Sequence, residues 1–223
     1  MPVAGWVPFL GDLRVWPTDV LGNHAGVDAI TLLKQDHKTV NALFRTFEKL
    51  GDGATVSKRN VVDQIIAELS VHAAIEEQVF YPAVKGISDD LKEHVLESLE
   101  EHHIVKWVLS ELESLDSEAE RFDAKVTVLI ENVRHHVKEE ETEFFPLVRE
   151  ALGRKVLGEI GDVMEKAKKT APKRPRPKAP DEPPGNVVSG LVAGVIDRAH
   201  AAGKGAAQDV KRNVKSKARA VRS

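Results

Sequence analysis

Histidine and glutamate residues recur in this 223-residue chain at spacings that suit a metal site. Glu76 follows His72 by four residues, and Glu140 follows His136 by four residues. Residues four apart share a face of an α-helix, so each pair would present an imidazole beside a carboxylate. The chain contains no cysteine, which leaves His, Asp and Glu as the expected metal ligands. The spacing therefore predicts two matched ligand pairs.

Both pairs belong to an internal repeat. Residues 72–82 read HAAIEEQVFYP, and 64 positions later residues 136–146 read HVKEEETEFFP. A second match lies ahead of each segment, where residues 36–40 read DHKTV and residues 101–105 read EHHIV. Self-similarity at a nearly constant offset indicates two copies of one structural unit. The repeat adds His37 and His102 to the candidate ligands.

The candidate ligands interrupt stripes of apolar residues. Ile65 and Leu69 precede His72 on its helix face, and Leu129 and Val133 hold the corresponding places in the second copy. A carboxylate on such a face costs several kcal/mol unless it is paired or coordinated. No Lys or Arg recurs at a matching position on these faces. Mixed imidazole and carboxylate ligation suits Fe, Mn or Zn, so the sequence predicts one of these metals.

Long helices must position these side chains. Asp28 and Ser88 are typical helix N-cap residues, and Gly153 is a typical helix terminator. The predicted helices span residues 29–50, 57–84, 89–115, 117–152 and 155–168. Short connections favour an all-α, up-down-up-down four-helix bundle of two pseudo-symmetric helical hairpins.

The chain divides into an acidic body and a basic tail. Residues 168–223 carry 14 Lys or Arg against 4 Asp or Glu, although the whole chain has a net charge of −3. Six of the 14 residues in 171–184 are proline, which is typical of a semi-rigid linker. The predicted units are an N-terminal extension (1–27), the bundle (28–152), a short helix (153–170), the linker (171–185) and a basic, partly helical tail (186–223).

The tail has two interpretations, and the chain as a whole is expected in the cytoplasm. Apolar residues from Val187 to Ala199 recur at helical spacing, and a basic segment follows from Lys204. This segment is either a solubilising end or an arm that contacts DNA or an anionic membrane without sequence specificity. No apolar run is long enough to span a membrane, and the N-terminus lacks the basic leader of a signal peptide.

The doubled motif resembles the hemerythrin-like, or HHE cation-binding, domain over residues 28–152. The resemblance implies a four-helix bundle with a non-haem di-iron centre, in which an oxo or hydroxo group bridges the two irons. It also implies that four histidines ligate the irons and that two glutamates bridge them. These six residues are His37, His72, Glu76, His102, His136 and Glu140.

One position departs from the oxygen-carrying hemerythrins. Those proteins have a second histidine one turn before the third-helix ligand, where this chain has Ser98. We therefore expect an extra open iron position, unless Glu77, Glu141 or Tyr81 supplies another ligand. The alternative is that these three residues lie just outside the ligands. The spacing in the carriers would select Glu141 as the second bridge, whereas the internal repeat selects Glu140.

These features predict a di-iron protein that binds or reacts with O2, peroxide or nitric oxide. An enzyme would consume peroxide, in a catalase-like reaction, or would consume another oxidant. The extra open position favours this interpretation. The alternative is a non-enzymatic carrier, sensor or iron-binding protein. A purely structural metal site is a third, weaker interpretation. The sequence identifies no catalytic residue beyond the metal ligands.

Overall fold

The computed structural model describes residues 26–178 and 190–220, with side chains as far as residue 205. Most of the predicted N-terminal extension, the second half of the linker and the basic side chains after residue 205 lie outside this description. The helices are α1 (Ala29–Glu48), α2 (Thr55–Ile75), π1 (Glu76–Phe80), α3 (Tyr81–Lys85), α4 (Asp89–Ser114), α5 (Phe122–Glu139), π2 (Glu140–Phe144), α6 (Phe145–Lys168) and α7 (Gly190–Ala220).

The helix ends confirm both predicted caps. The Asp28 carboxylate accepts a hydrogen bond from the Thr31 N–H at 3.1 Å, and the Ser88 hydroxyl accepts one from the Leu91 N–H at 3.2 Å. Each bond satisfies an N–H group that has no partner within the helix. Gly153 has φ of 67°, a conformation that favours glycine, and interrupts α6 at the predicted stop.

The expected helix start at residue 117 is wrong by five residues, because α5 begins at Phe122. The Asp116 carboxylate accepts a hydrogen bond from the Glu118 N–H at 2.9 Å. This local bond forms a turn that competes with helix formation. The helix begins only where Phe122 can enter the core.

Two π-helical turns carry the repeated glutamates. The Tyr81 N–H donates to the Glu76 carbonyl, and the Phe145 N–H donates to the Glu140 carbonyl, so each bond spans five residues instead of four. A proline follows each turn, where an α-helix would lose a hydrogen bond and clash with the preceding turn. The wider π turn lets the helical path continue through the proline.

The candidate ligands separate two apolar cores. One core surrounds Phe80, Phe144 and Phe145, and the other surrounds Phe44 and Phe122. Along every helix of the bundle, the predicted ligands fall between residues of the first core and residues of the second. Apolar packing on both sides therefore holds the polar layer in place and keeps water away from it.

Two further helical segments cover the bundle. After Gly153 the chain continues as the predicted short helix, whose Lys168 pairs with Asp36 on α1. Helix α7 packs against α3 and α6, where it buries Val195 and Ala199. Within the described residues, no helix is both long enough and apolar enough to cross a membrane.

Candidate metal centre

The structure brings all six predicted ligands together in the interior. One group of converging ligand atoms comes from His37, His72, Glu76 and Glu140, and a second comes from Glu76, His102 and His136. Within each group the atoms lie within 4.8 Å of one another. Glu76 belongs to both groups and is fully buried.

Each glutamate faces one histidine from each helical hairpin. A Glu76 oxygen lies 3.0 Å from His72 Nε2 and 3.4 Å from His102 Nε2. A Glu140 oxygen lies 3.3 Å from His37 Nε2 and 3.6 Å from His136 Nε2. The two carboxylates thus repeat the same arrangement, as the sequence repeat predicts.

Several of these buried atoms make no hydrogen bond. They are His37 Nε2, both ring nitrogens of His72, both oxygens of Glu76 and one oxygen of Glu140. Leaving a buried polar atom without a partner costs about 1–3 kcal/mol, and more for a charged group. A cation between the imidazoles and the carboxylates would satisfy these atoms, so the donor set fits a bound metal.

A second set of carboxylates contacts the other nitrogen, Nδ1, of each histidine. For His37, His102 and His136 the contact is a hydrogen bond, which fixes the imidazole tautomer and turns Nε2 towards the centre. Each hairpin contains one such pair within itself, and the other two pairs join the two hairpins. This outer set therefore follows the repeat as well. The pairs, with their N–O distances, are His37 with Glu141 (2.9 Å), His102 with Glu77 (3.1 Å), His136 with Glu101 (2.7 Å) and His72 with Asp36 (3.8 Å).

Lysines balance three of the four outer carboxylates. Lys106 is buried and lies 2.8 Å from Glu77, and Lys34 lies 3.3 Å from Glu141. Lys168 forms an ion pair with Asp36. These lysines occupy no matching positions in the two copies, so the repeat could not predict them. They compensate charges that would otherwise be costly at the edge of the core.

The buried charges shift one another's pKa. Burial disfavours the charged form of His72, but Glu76 and Asp36 outweigh it and raise the pKa of His72 to about 10. Burial disfavours the charged form of Glu140 too, yet His136 and His37 hold its pKa well below the usual value. A proton on the His72 imidazole thus compensates the carboxylates, and a metal ion would take its place.

Tyr81 and Ser98 form a polar pair beside the ligands. The Tyr81 hydroxyl donates to a Glu140 oxygen at 3.1 Å and lies 3.4 Å from His102 Nε2, and Ser98 hydrogen-bonds to it. Burial raises the pKa of Tyr81 well above its usual value, with Glu140 adding to the effect. Phe145 holds the position in the second copy that is equivalent to Tyr81. Its ring stacks on the His37 ring, with 6.0 Å between the ring centroids.

Comparison with known proteins places this site in a family. The family model "Hemerythrin HHE cation binding domain" matches residues 28–148, more than half of the chain. The chain belongs to this hemerythrin family. Its cation-binding domain is therefore the bundle that carries the buried His–Glu layer.

Relatives of this hemerythrin-like chain are distant in sequence. An uncharacterized hemerythrin-like protein of Schizosaccharomyces pombe is 28% identical over 165 residues, covering 74% of this chain and 80% of the relative. A DNA nickase of Nostoc sp. is 28% identical over 121 residues, covering 54% of this chain and 33% of the nickase. A crystal structure of a hemerythrin HHE cation-binding domain-containing protein from Mycobacterium kansasii has a TM-score of 0.52 at 22% identity, covering 65% of this chain and 89% of that chain. This likeness shows a shared fold.

Two outer residues of the hemerythrin-like site were missed in the sequence. Asp36 and Glu101 each precede a matched histidine, and each contacts a ring from the next helix. Their acidic character at equivalent positions in the repeat was the available signal. His135 lies on the surface with Glu139.

Proposed function

We propose that residues 28–152 hold two iron ions and that this centre binds or reacts with O2, peroxide or nitric oxide. One observation supports the proposal above all others. Two buried carboxylates each face imidazoles from both hairpins, and several of their atoms have no hydrogen-bond partner. Four imidazoles and two shared carboxylates suit a pair of ions better than a single tetrahedral zinc.

Iron would supply Lewis acidity and redox chemistry, and the chain's own residues would prepare the site. The outer carboxylates hold Nδ1 of the histidines and leave Nε2 for a cation. Glu76 and Glu140 would be the shared ligands, with Glu77 and Glu141 supporting the histidines from outside. The surrounding apolar cores would exclude bulk water.

Peroxide turnover is the enzymatic form of this proposal, and Tyr81 favours it. Its hydroxyl lies beside Glu140 and His102. A protonated phenol can donate a proton to a bound oxidant. A fifth imidazole in this region, as in the carriers, would instead occupy a metal position. The alternative is reversible O2 or nitric oxide binding without turnover.

The purified protein is expected to contain about two iron ions per chain and to show a charge-transfer band when oxidised. Metal analysis and an optical spectrum would test this, and oxygen evolution from peroxide would test turnover. Tyr81→Phe should keep the iron but lower turnover about tenfold or more, since general acid catalysis contributes at least this much. One zinc per chain without a visible band would contradict the di-iron proposal. Reversible O2 binding without turnover would favour the carrier.

We also propose that the basic tail contacts DNA or anionic membranes. The concentration of 14 Lys or Arg in residues 168–223 supports polyanion binding, which counterion release would drive. One relative is named a DNA nickase, but the chain covers only 33% of that protein. We therefore propose contact alone and no DNA cleavage.

Truncation after Gly205 is expected to weaken salt-sensitive polyanion binding strongly while leaving the iron spectrum unchanged. It removes six Lys or Arg and one Asp but keeps Val195 and Ala199 packed on the bundle. For duplex DNA, the slope of the logarithm of the binding constant against the logarithm of the salt concentration should become less steep by up to about 5. Retention of the protein on DNA and on anionic vesicles measures its binding to each of the two partners. A full-length variant with these six basic residues replaced by Gln is the matched control, and tight binding by either variant would contradict the proposal.

A further inference from the structure

A small cavity lies against the four candidate imidazole ligands. Its volume is about 20 Å³, which is room for one water-sized molecule. The rest of its wall is apolar and consists of Val40, Leu69, Ala73, Val105, Val133 and Val137. The cavity can therefore accept a molecule of a few atoms beside the ligands, but nothing as large as a metabolite.

A wider groove lies outside this cavity, between α1 and the α5–π2 segment. Its volume is about 400 Å³, and exposed residues such as Thr142 line its outer part. Val40, Val133 and Val137 line both the groove and the inner cavity, together with His37. These three valines therefore form the wall between solvent and the candidate metal centre.

The mouth of the groove is basic. Lys38, Arg134 and Lys138 line it, against the single carboxylate of Glu141. Glu141 is already paired with Lys34 and His37, and Arg134 binds Glu48 at 2.6 Å. Within the part of the chain that the structure describes, Lys38 and Lys138 form no ion pair. Two uncompensated positive charges thus stand at the opening.

We propose that this groove is the entrance by which small monovalent anions reach the metal centre, with Val40, Val133 and Val137 as its gate and Lys38 and Lys138 as the residues that attract the anion. The proposal rests on the proposed metal site. β-Branched valines have few rotamers, so the gate admits only small molecules. The positive mouth raises the local concentration of anions and their association rate, and added salt weakens this effect.

Stopped-flow binding of azide, an anion, and nitric oxide, a neutral molecule, to the iron-loaded full chain tests the gate. Val137→Phe is expected to slow association and dissociation of both probes by about tenfold or more, because Val137 lines the groove as well as the inner cavity. Val105→Phe is the matched control, because Val105 lines the inner cavity but not the groove. It should lower affinity instead of slowing both rates equally. Wild-type rates in Val137→Phe would overturn the gate.

Charge reversal tests the mouth separately. The double variant Lys38→Glu, Lys138→Glu is expected to slow azide association about tenfold at low salt and to leave nitric oxide association unchanged. Lys92→Glu with Lys166→Glu makes the same charge change outside the groove and should have a much smaller effect. Equal slowing of both probes, or equal slowing by both double variants, would overturn the role of the lysines.

Iron content separates failure of the entrance from failure of the proposed function. A wild-type protein that takes up no iron would overturn the metal centre and the entrance together. Iron-loaded variants with unchanged rates would overturn the entrance alone. The lysine variants change only exposed side chains, so they remain decisive if Val137→Phe does not fold.

Discussion

Removal of the bound metal with a chelator is expected to lower the melting temperature by roughly 10 °C. Glu76 is fully buried and Glu140 is 2% exposed, and both lie among imidazoles, of which His37 and His72 have an inward Nε2 without a hydrogen-bond partner. Breaking a buried charge compensation costs about 3–5 kcal/mol, and protons taken up by the imidazoles would recover part of it. A loss of about 3 kcal/mol corresponds to roughly 6–12 °C for a chain of this size. Thermal unfolding with and without chelator measures the effect.

The matched control is the double variant Glu76→Ala, Glu140→Ala, which should hold little metal. The chelator should leave its melting temperature unchanged, because there is nothing to remove. Adding iron back to the chelated wild-type protein should restore the original transition. A similar shift in the wild type and the variant would mean that the chelator acts elsewhere, and would contradict a metal contribution to stability.

Glu140→Ala and Glu141→Ala are expected to differ sharply in metal content. Glu140 faces Nε2 of His37 and His136, whereas Glu141 contacts Nδ1 of His37 from outside and is also paired with Lys34. Glu140→Ala should lose at least one metal ion per chain. Glu141→Ala should keep both ions with affinity lowered about 10–100-fold, as for other residues that orient a ligand. Metal analysis and an iron titration distinguish the two.

The repeat supplies the matched comparison for these variants. Glu76 and Glu77 hold the equivalent positions in the first copy. Glu76→Ala and Glu77→Ala should therefore differ in metal content in the same way. Complete loss of metal in Glu141→Ala with retention in Glu140→Ala would instead make Glu141 the shared ligand, as the spacing in oxygen carriers suggests.

Local chemistry made the helical architecture predictable from sequence. The caps at Asp28 and Ser88 and the stop at Gly153 depend on side chains or backbone freedom at single positions, which a sequence reveals directly. The start of α5 could not be predicted this way, because a hydrogen bond from the Glu118 N–H to the Asp116 carboxylate competes with helix formation. The π turns also escaped prediction, since they resolve a conflict between helix continuity and a following proline.

The inner and outer parts of the site differed in predictability. The six inner residues stand on apolar faces in a doubled motif, so both burial and repetition marked them. The outer carboxylates on Nδ1 depend on which helices become neighbours, and only their repetition hinted at a role. Lys106 and Lys168 lack equivalents in the other copy, and their contacts require the folded arrangement.

Tyr81 and Phe145 make the two halves of the site chemically unequal. They hold equivalent positions, yet one places a hydroxyl group 3.1 Å from a Glu140 oxygen and the other stacks a phenyl ring on His37. Two metal ions held in this layer would therefore have different surroundings and different reduction potentials. The two ions would then not be equivalent, because only one of them would have a phenol hydroxyl group among its neighbours.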